Sequence, residues 1–86
     1  MPRLSEFYGI AIYMYFNDHN PPHFHAIYAE YEALVRIDDG SILGGDLPNT
    51  AARLVEQWRQ LHEYELATNW RHAREPSALT SIEPLN

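Results

Sequence analysis

Eighty-six residues with no cysteine and twelve acidic against six basic side chains give a formal charge of −6, which excludes a disulfide framework and a thiolate zinc site. All six basic residues are arginines, and so acidic a chain is poorly suited to bulk nucleic acid. Hydrophobic content of 45% with 13% aromatics supplies one small core, residues 1–86 read as a single domain, and no apolar run approaches the roughly 20 residues that span a bilayer. With no signal-peptide layout at the N-terminus, a cytoplasmic protein without membrane contact is expected.

Phe7 to Phe16 reads as one long strand, with the bulky even positions Tyr8, Ile10, Ile12, Met14 and Phe16 on the core face and Tyr13 and Tyr15 on the other. Asn17 to Pro22 is a loop. A second strand runs from His23 to about Tyr28, a turn follows at Ala29 to Tyr31, and a third strand covers about Glu32 to Ile37. Asp38-Asp39-Gly40 signals a hairpin with type I′ geometry, leading to a short fourth strand, Ser41 to Leu43, stopped by Gly44-Gly45. The meander therefore occupies residues 7–43.

Pro48-Asn49-Thr50 opens the helical segment, residues 50–74, with Asn49 or Thr50 as cap. Apolar residues recur with helical period at Ala51, Leu54, Val55, Trp58, Leu61, Leu66, Trp70 and Ala73, with one irregularity between Leu61 and Leu66. That break predicts one kinked helix or two helices meeting near His62 to Tyr64, ended by Pro76. Trp58 and Trp70 are core anchors at this spacing, while His62 and His72 read as solvated surface. The tail, residues 78–85, carries Leu79, Ile82 and Leu85 and is expected to dock as an extra strand or extended arm, in its own sheet or in a second copy as a homodimer. The fold class is α+β: an antiparallel sheet of about four strands with helix packed on one face.

The densest chemistry lies at Asn17-Asp18-His19-Asn20-Pro21-Pro22-His23-Phe24-His25. Three of the five histidines and an aspartate flank a stiff Pro-Pro step, and His23 and His25, two apart in a strand, point to the same face. The segments PRLSEFYGIAIYMYFNDHNPPHFHA, EALVRI and SIEPL resemble a widespread family of short bacterial proteins defined by a domain of unknown function. The ND-H-x-PP-H-F-H block is the most specific part, matching at Asn17, Asp18, His19, Pro21, Pro22, His23 and His25. The resemblance implies the toxin half of a type II toxin–antitoxin pair, with a cognate antitoxin as partner.

Three readings of the block follow from its residue types. His19, His23 and His25 could serve acid–base chemistry on an RNA phosphodiester, with Asp18 orienting an imidazole and Tyr13, Tyr15 and Asn17 contacting substrate. This would be a metal-independent endoribonuclease needing no cofactor. Alternatively, the His-x-His pair with His19 or Asp18 offers three or four ligands to a metal that the sequence does not identify. In the third reading the same groups only brace a turn, and the protein is a non-catalytic module that binds another protein. The expected function is a toxin acting on RNA through the histidine cluster.

Overall fold

The computed structural model describes residues 3–75 and 78–86. Five antiparallel strands follow one another in space as in sequence: β1 (Arg3–Phe7), β2 (Ile10–Tyr13), β3 (His23–Tyr28), β4 (Tyr31–Arg36) and β5 (Ile42–Gly45). Helices α1 (Asn49–Leu61) and α2 (Glu63–Arg74) complete an α+β fold and meet at His62, where the apolar period slips.

The expected strand from Phe7 to Phe16 is two strands. Tyr8 and Gly9 both have positive φ, 51° and 79°, the signature of a type I′ turn, so Phe7 pairs with Ile10. The reversal puts Phe7 into the core and leaves Tyr8 and Phe16 exposed, against the even-face expectation, while Ile10, Ile12 and Met14 are fully buried. At Asp39-Gly40 only the glycine has positive φ, so the hairpin expected there exists without type I′ geometry. It closes through Gly40 N–H donating to the Arg36 carbonyl and Arg36 N–H donating to that of Ser41, both at 2.9 Å. The fourth and fifth strands are displaced by a residue or two from the expected bounds. Pro48, not Asn49 or Thr50, stands at the N-cap of α1, without a side-chain capping bond. Pro76, the expected stop of the helical segment, lies outside the described residues.

One face of the sheet carries Ile10, Ile12, Phe24, Ala26, Ala33 and Val35, pairs spaced by two, against Ala51, Val55 and Trp58 of α1 and Leu66, Trp70 and Ala73 of α2. Trp58 is the hub: its ring lies 5.4 Å from Phe7 and 5.7 Å, edge to face, from Phe24. Its indole N–H donates to the Glu83 carbonyl at 2.8 Å, tying the tail to α1. The tail forms no strand among the described residues. It is an extended arm held to β1 by Ile82 N–H donating to the Leu4 carbonyl at 2.8 Å, with Ile82 buried. Asn69, buried in α2, imitates a strand edge toward this arm, donating to the Thr80 carbonyl at 3.0 Å and accepting Thr80 N–H at 2.7 Å.

Arg59, also buried, links α1 to the end of β4 by donating to the Ile37 carbonyl at 2.8 Å, and pairs with Glu56 at 2.6 Å and Glu63 at 3.3 Å. Arg59→Met keeps the alkyl packing but orphans that carbonyl, so a loss of about 1–3 kcal/mol is expected in denaturant unfolding. The hydrogen bond from Arg59 outweighs the burial that would raise Glu56, leaving that carboxyl below its ordinary range. A depressed carboxylate stabilises above its unfolded value and stops doing so as pH falls through the folded one, so Glu56→Gln should flatten the acid limb of the stability profile.

Candidate metal centre

The site is built by the loop between β2 and β3 and by the first residues of β3. Asn17 takes a left-handed conformation, φ 57°, and its N–H donates to the Ala73 carbonyl at 3.2 Å, docking the loop on the end of α2. The chain then passes a cis Asn20–Pro21 bond and enters β3 at His23. His23 and His25 share the face opposite Phe24 and Ala26. Asp18 reaches back over both of them.

One carboxylate oxygen, Asp18 Oδ2, lies 3.1 Å from His23 Nε2 and 3.2 Å from His25 Nε2. The two Nδ1 atoms are engaged elsewhere, that of His23 2.8 Å from the Pro21 carbonyl and that of His25 3.1 Å from Glu32 Oε2. Each ring therefore faces acceptors at both nitrogens, and a neutral ring has one hydrogen to offer; with that hydrogen on Nδ1, Nε2 turns a lone pair toward Asp18. Two lone pairs and a carboxylate oxygen at one point need positive charge among them, a proton on each ring or a cation. The three donor atoms lie within 4.8 Å of one another. Ligands on one tetrahedral ion at about 2.0–2.1 Å stand about 3.3 Å apart; the two distances from Asp18 Oδ2 are close to that, and the two histidine nitrogens lie within 4.8 Å of each other. Backbone carbonyls and carboxylates on the distal nitrogens are also what orients metal-binding histidines.

The surroundings hold this geometry. The Tyr15 ring meets His25 edge-on at 4.3 Å, and Trp70 lies 5.4 Å from His23. Both histidines are buried, and Asp18 is half-buried. Burial pushes the Asp18 carboxyl up. The His19 backbone N–H, the bond with His25 and the charges of the two rings outweigh it, and the acid stays below its ordinary range. Tyr15 is pushed up by burial first, then by Glu32, Tyr13 and Asp18, so its hydroxyl keeps its proton.

Of the residues singled out in the sequence, Asp18, His23 and His25 come together. Tyr15 packs beside them, and Tyr13 pairs directly across from His25. His19 stands apart. Its backbone N–H donates to Asp18 Oδ1 at 2.9 Å, but its exposed ring is outside the three-ligand group. Sequence reasoning missed Glu32, Trp70 and Arg74. Glu32 follows from the Tyr28–Tyr31 register, which lays β4 beside β3, and Trp70 had been assigned to the core alone. His62, expected at the surface, is half-buried against Trp58, their rings 5.4 Å apart, and bonds Glu65 at 2.6 Å.

Together the fold and the corner define a small α+β protein carrying two buried histidines and one half-buried carboxylate where the β2–β3 loop enters β3. The chain belongs to the family described as "Domain of unknown function (DUF4160)", which matches residues 9–71 and so takes in the whole corner. Comparison with curated proteins and with solved structures returns no significant match. Among the described residues no helix is long and apolar enough to cross a membrane.

Proposed function

We propose that the protein binds a divalent first-row transition metal ion, of the zinc or iron(II) class, through Asp18 Oδ2, His23 Nε2 and His25 Nε2, and acts through it. The observation that carries this reading is the convergence of His23 Nε2 and His25 Nε2 on one oxygen of Asp18, with both Nδ1 atoms held by acceptors on the far side of each ring. When bound with protein ligands on one side only, such an ion polarises an oxygen of a substrate or acidifies a bound water. The chain's own part is to hold the rings by Pro21 and Glu32, to wall the corner with Tyr15 and Trp70, and to keep Asp18 ionised.

In the wider role of a toxin, which the resemblance implies, with RNA as the target that the histidine cluster suggests, this corner is the acting site. An arrangement with no metal, in which His23 and His25 shuttle protons on a phosphodiester, requires Asp18 to leave both Nε2 atoms first. Protein purified without a metal-affinity tag should carry near one equivalent of metal, and Asp18→Ala, His23→Ala and His25→Ala should each weaken zinc binding by about 100-fold or more. Sub-stoichiometric metal and no binding tighter than about millimolar would overturn the reading. Induced expression should arrest growth and degrade RNA, and a folded His23→Ala/His25→Ala variant should do neither. Equal toxicity of that variant would remove the corner from the toxic act.

A binding module remains the second reading, favoured by exposed Leu61 and Tyr64 where the helices meet, 68% and 80% accessible. A partner seated there would engage the helices rather than the histidines.

A further inference from the structure

Beside the corner opens a polar cleft of about 330 Å³ lined by Asn17, Asp18, His19, Asn20 and Arg74. We infer that this cleft is a subsite for the oxyanion of a phosphate ester, held next to the ion proposed above; the inference rests on that reading. The wall can offer donors from the side-chain amides of Asn17 and Asn20, the exposed His19 ring and the Arg74 guanidinium. The acid in that wall, Asp18, is already engaged, Oδ1 by the His19 N–H and Oδ2 by the histidines.

Arg74 is placed without being consumed. Its guanidinium carbon lies 6.0 Å from the Trp70 ring centroid, and Nη1 donates to the Asp18 carbonyl at 3.4 Å, a long bond readily exchanged for a phosphoryl oxygen. The carbonyls at the C-terminal end of α2 would oppose an anion here, but those of Arg71, His72 and Ala73 are occupied. Asn17 N–H takes that of Ala73, and Glu75 N–H takes those of Arg71 and His72, each at 3.2 Å.

Charge makes the ion and the anion interdependent. Asp18 and Glu32 stand against Arg74 at the corner, and a divalent ion adds two positive charges beside the cleft. Metal should therefore strengthen the hold on an anion. The cleft is larger than a phosphoryl group, which leaves space for the organic part of an ester. A carboxylate would also suit the arginine fork, but it offers too few acceptors for the amides and His19 around it.

The test titrates phenyl phosphate into zinc-loaded and zinc-free protein, followed by ³¹P NMR and tryptophan fluorescence, with benzoate in parallel. Zinc loading should tighten phenyl phosphate binding by about tenfold or more, and benzoate should bind more weakly. Arg74→Ala should lose about tenfold while keeping its zinc stoichiometry, and Arg74→Lys should recover part of that loss as a point charge. Zinc-loaded protein that ignores phenyl phosphate, an Arg74→Ala variant that binds it as the parent does, or benzoate bound equally well would overturn the inference and leave the metal reading standing. Failure to load zinc would bring down the metal reading and this inference with it.

Discussion

Deleting residues 79–86 should lower the melting temperature by at least about 20 °C, or abolish a cooperative transition altogether. The tail contributes Ile82, buried in the core, and the partly buried Leu79 and Leu85. A fully buried aliphatic side chain is worth about 1.5–3 kcal/mol and a partly buried one less. The deletion also removes the acceptor of the Trp58 indole and both bonds between Asn69 and Thr80, each worth about 0.5–1.5 kcal/mol. The sum, about 5 kcal/mol or more, rivals the whole stability of a domain this size. At about 4–8 °C per kcal/mol the shift is large in calorimetry. Ile82→Ala alone should cost about 2–4 kcal/mol. Because the arm bonds its own Leu4, Trp58 and Asn69, the effect is on stability and not on solution mass. A truncated protein that melts where the parent does would show the arm to be passive.

Zinc should raise the melting temperature of the intact protein by about 10–20 °C at a free concentration of 100 times its dissociation constant, since ligation of the folded state alone is then worth about 2.7 kcal/mol. Chelation should return it to the metal-free value. His23→Ala and His25→Ala should not respond, because their ligand atoms are gone. Glu32→Gln should respond less than the parent, since a neutral amide orients His25 Nδ1 more weakly than a carboxylate does. A transition indifferent to both zinc and chelator would contradict the metal centre.

The helices and the central strands were legible because apolar spacing there is uninterrupted, and the slip between Leu61 and Leu66 marked the junction now seen at His62. The first hairpin was not legible. Tyr-Gly is a weak turn signal, and bulky residues on both sides of Gly9 disguise a reversal as continued alternation. Asp39-Gly40 carried the stronger signal, but its loop is longer than two residues and needs left-handed backbone only at the glycine. At the site, the spacing of His23 and His25 foretold their shared face. Which nitrogens meet at Asp18, however, depends on Glu32 and on the Pro21 carbonyl. Those partners follow from strand register and loop closure, which no local pattern in the block encodes. His19 looked equivalent to its neighbours in sequence, and the loop turns its backbone, not its ring, toward Asp18.

Because the strands lie in space in the order in which they are synthesised, each can pair with the strand just made, across a short closure of low entropic cost. The bond from Ile82 to Leu4, by contrast, closes almost the entire described chain. Assembly can thus proceed vectorially through the meander while the arm docks last. The folding rate is then governed by local pairing, and the lifetime of the native state by its final segment, whose contacts slow unfolding without hastening folding.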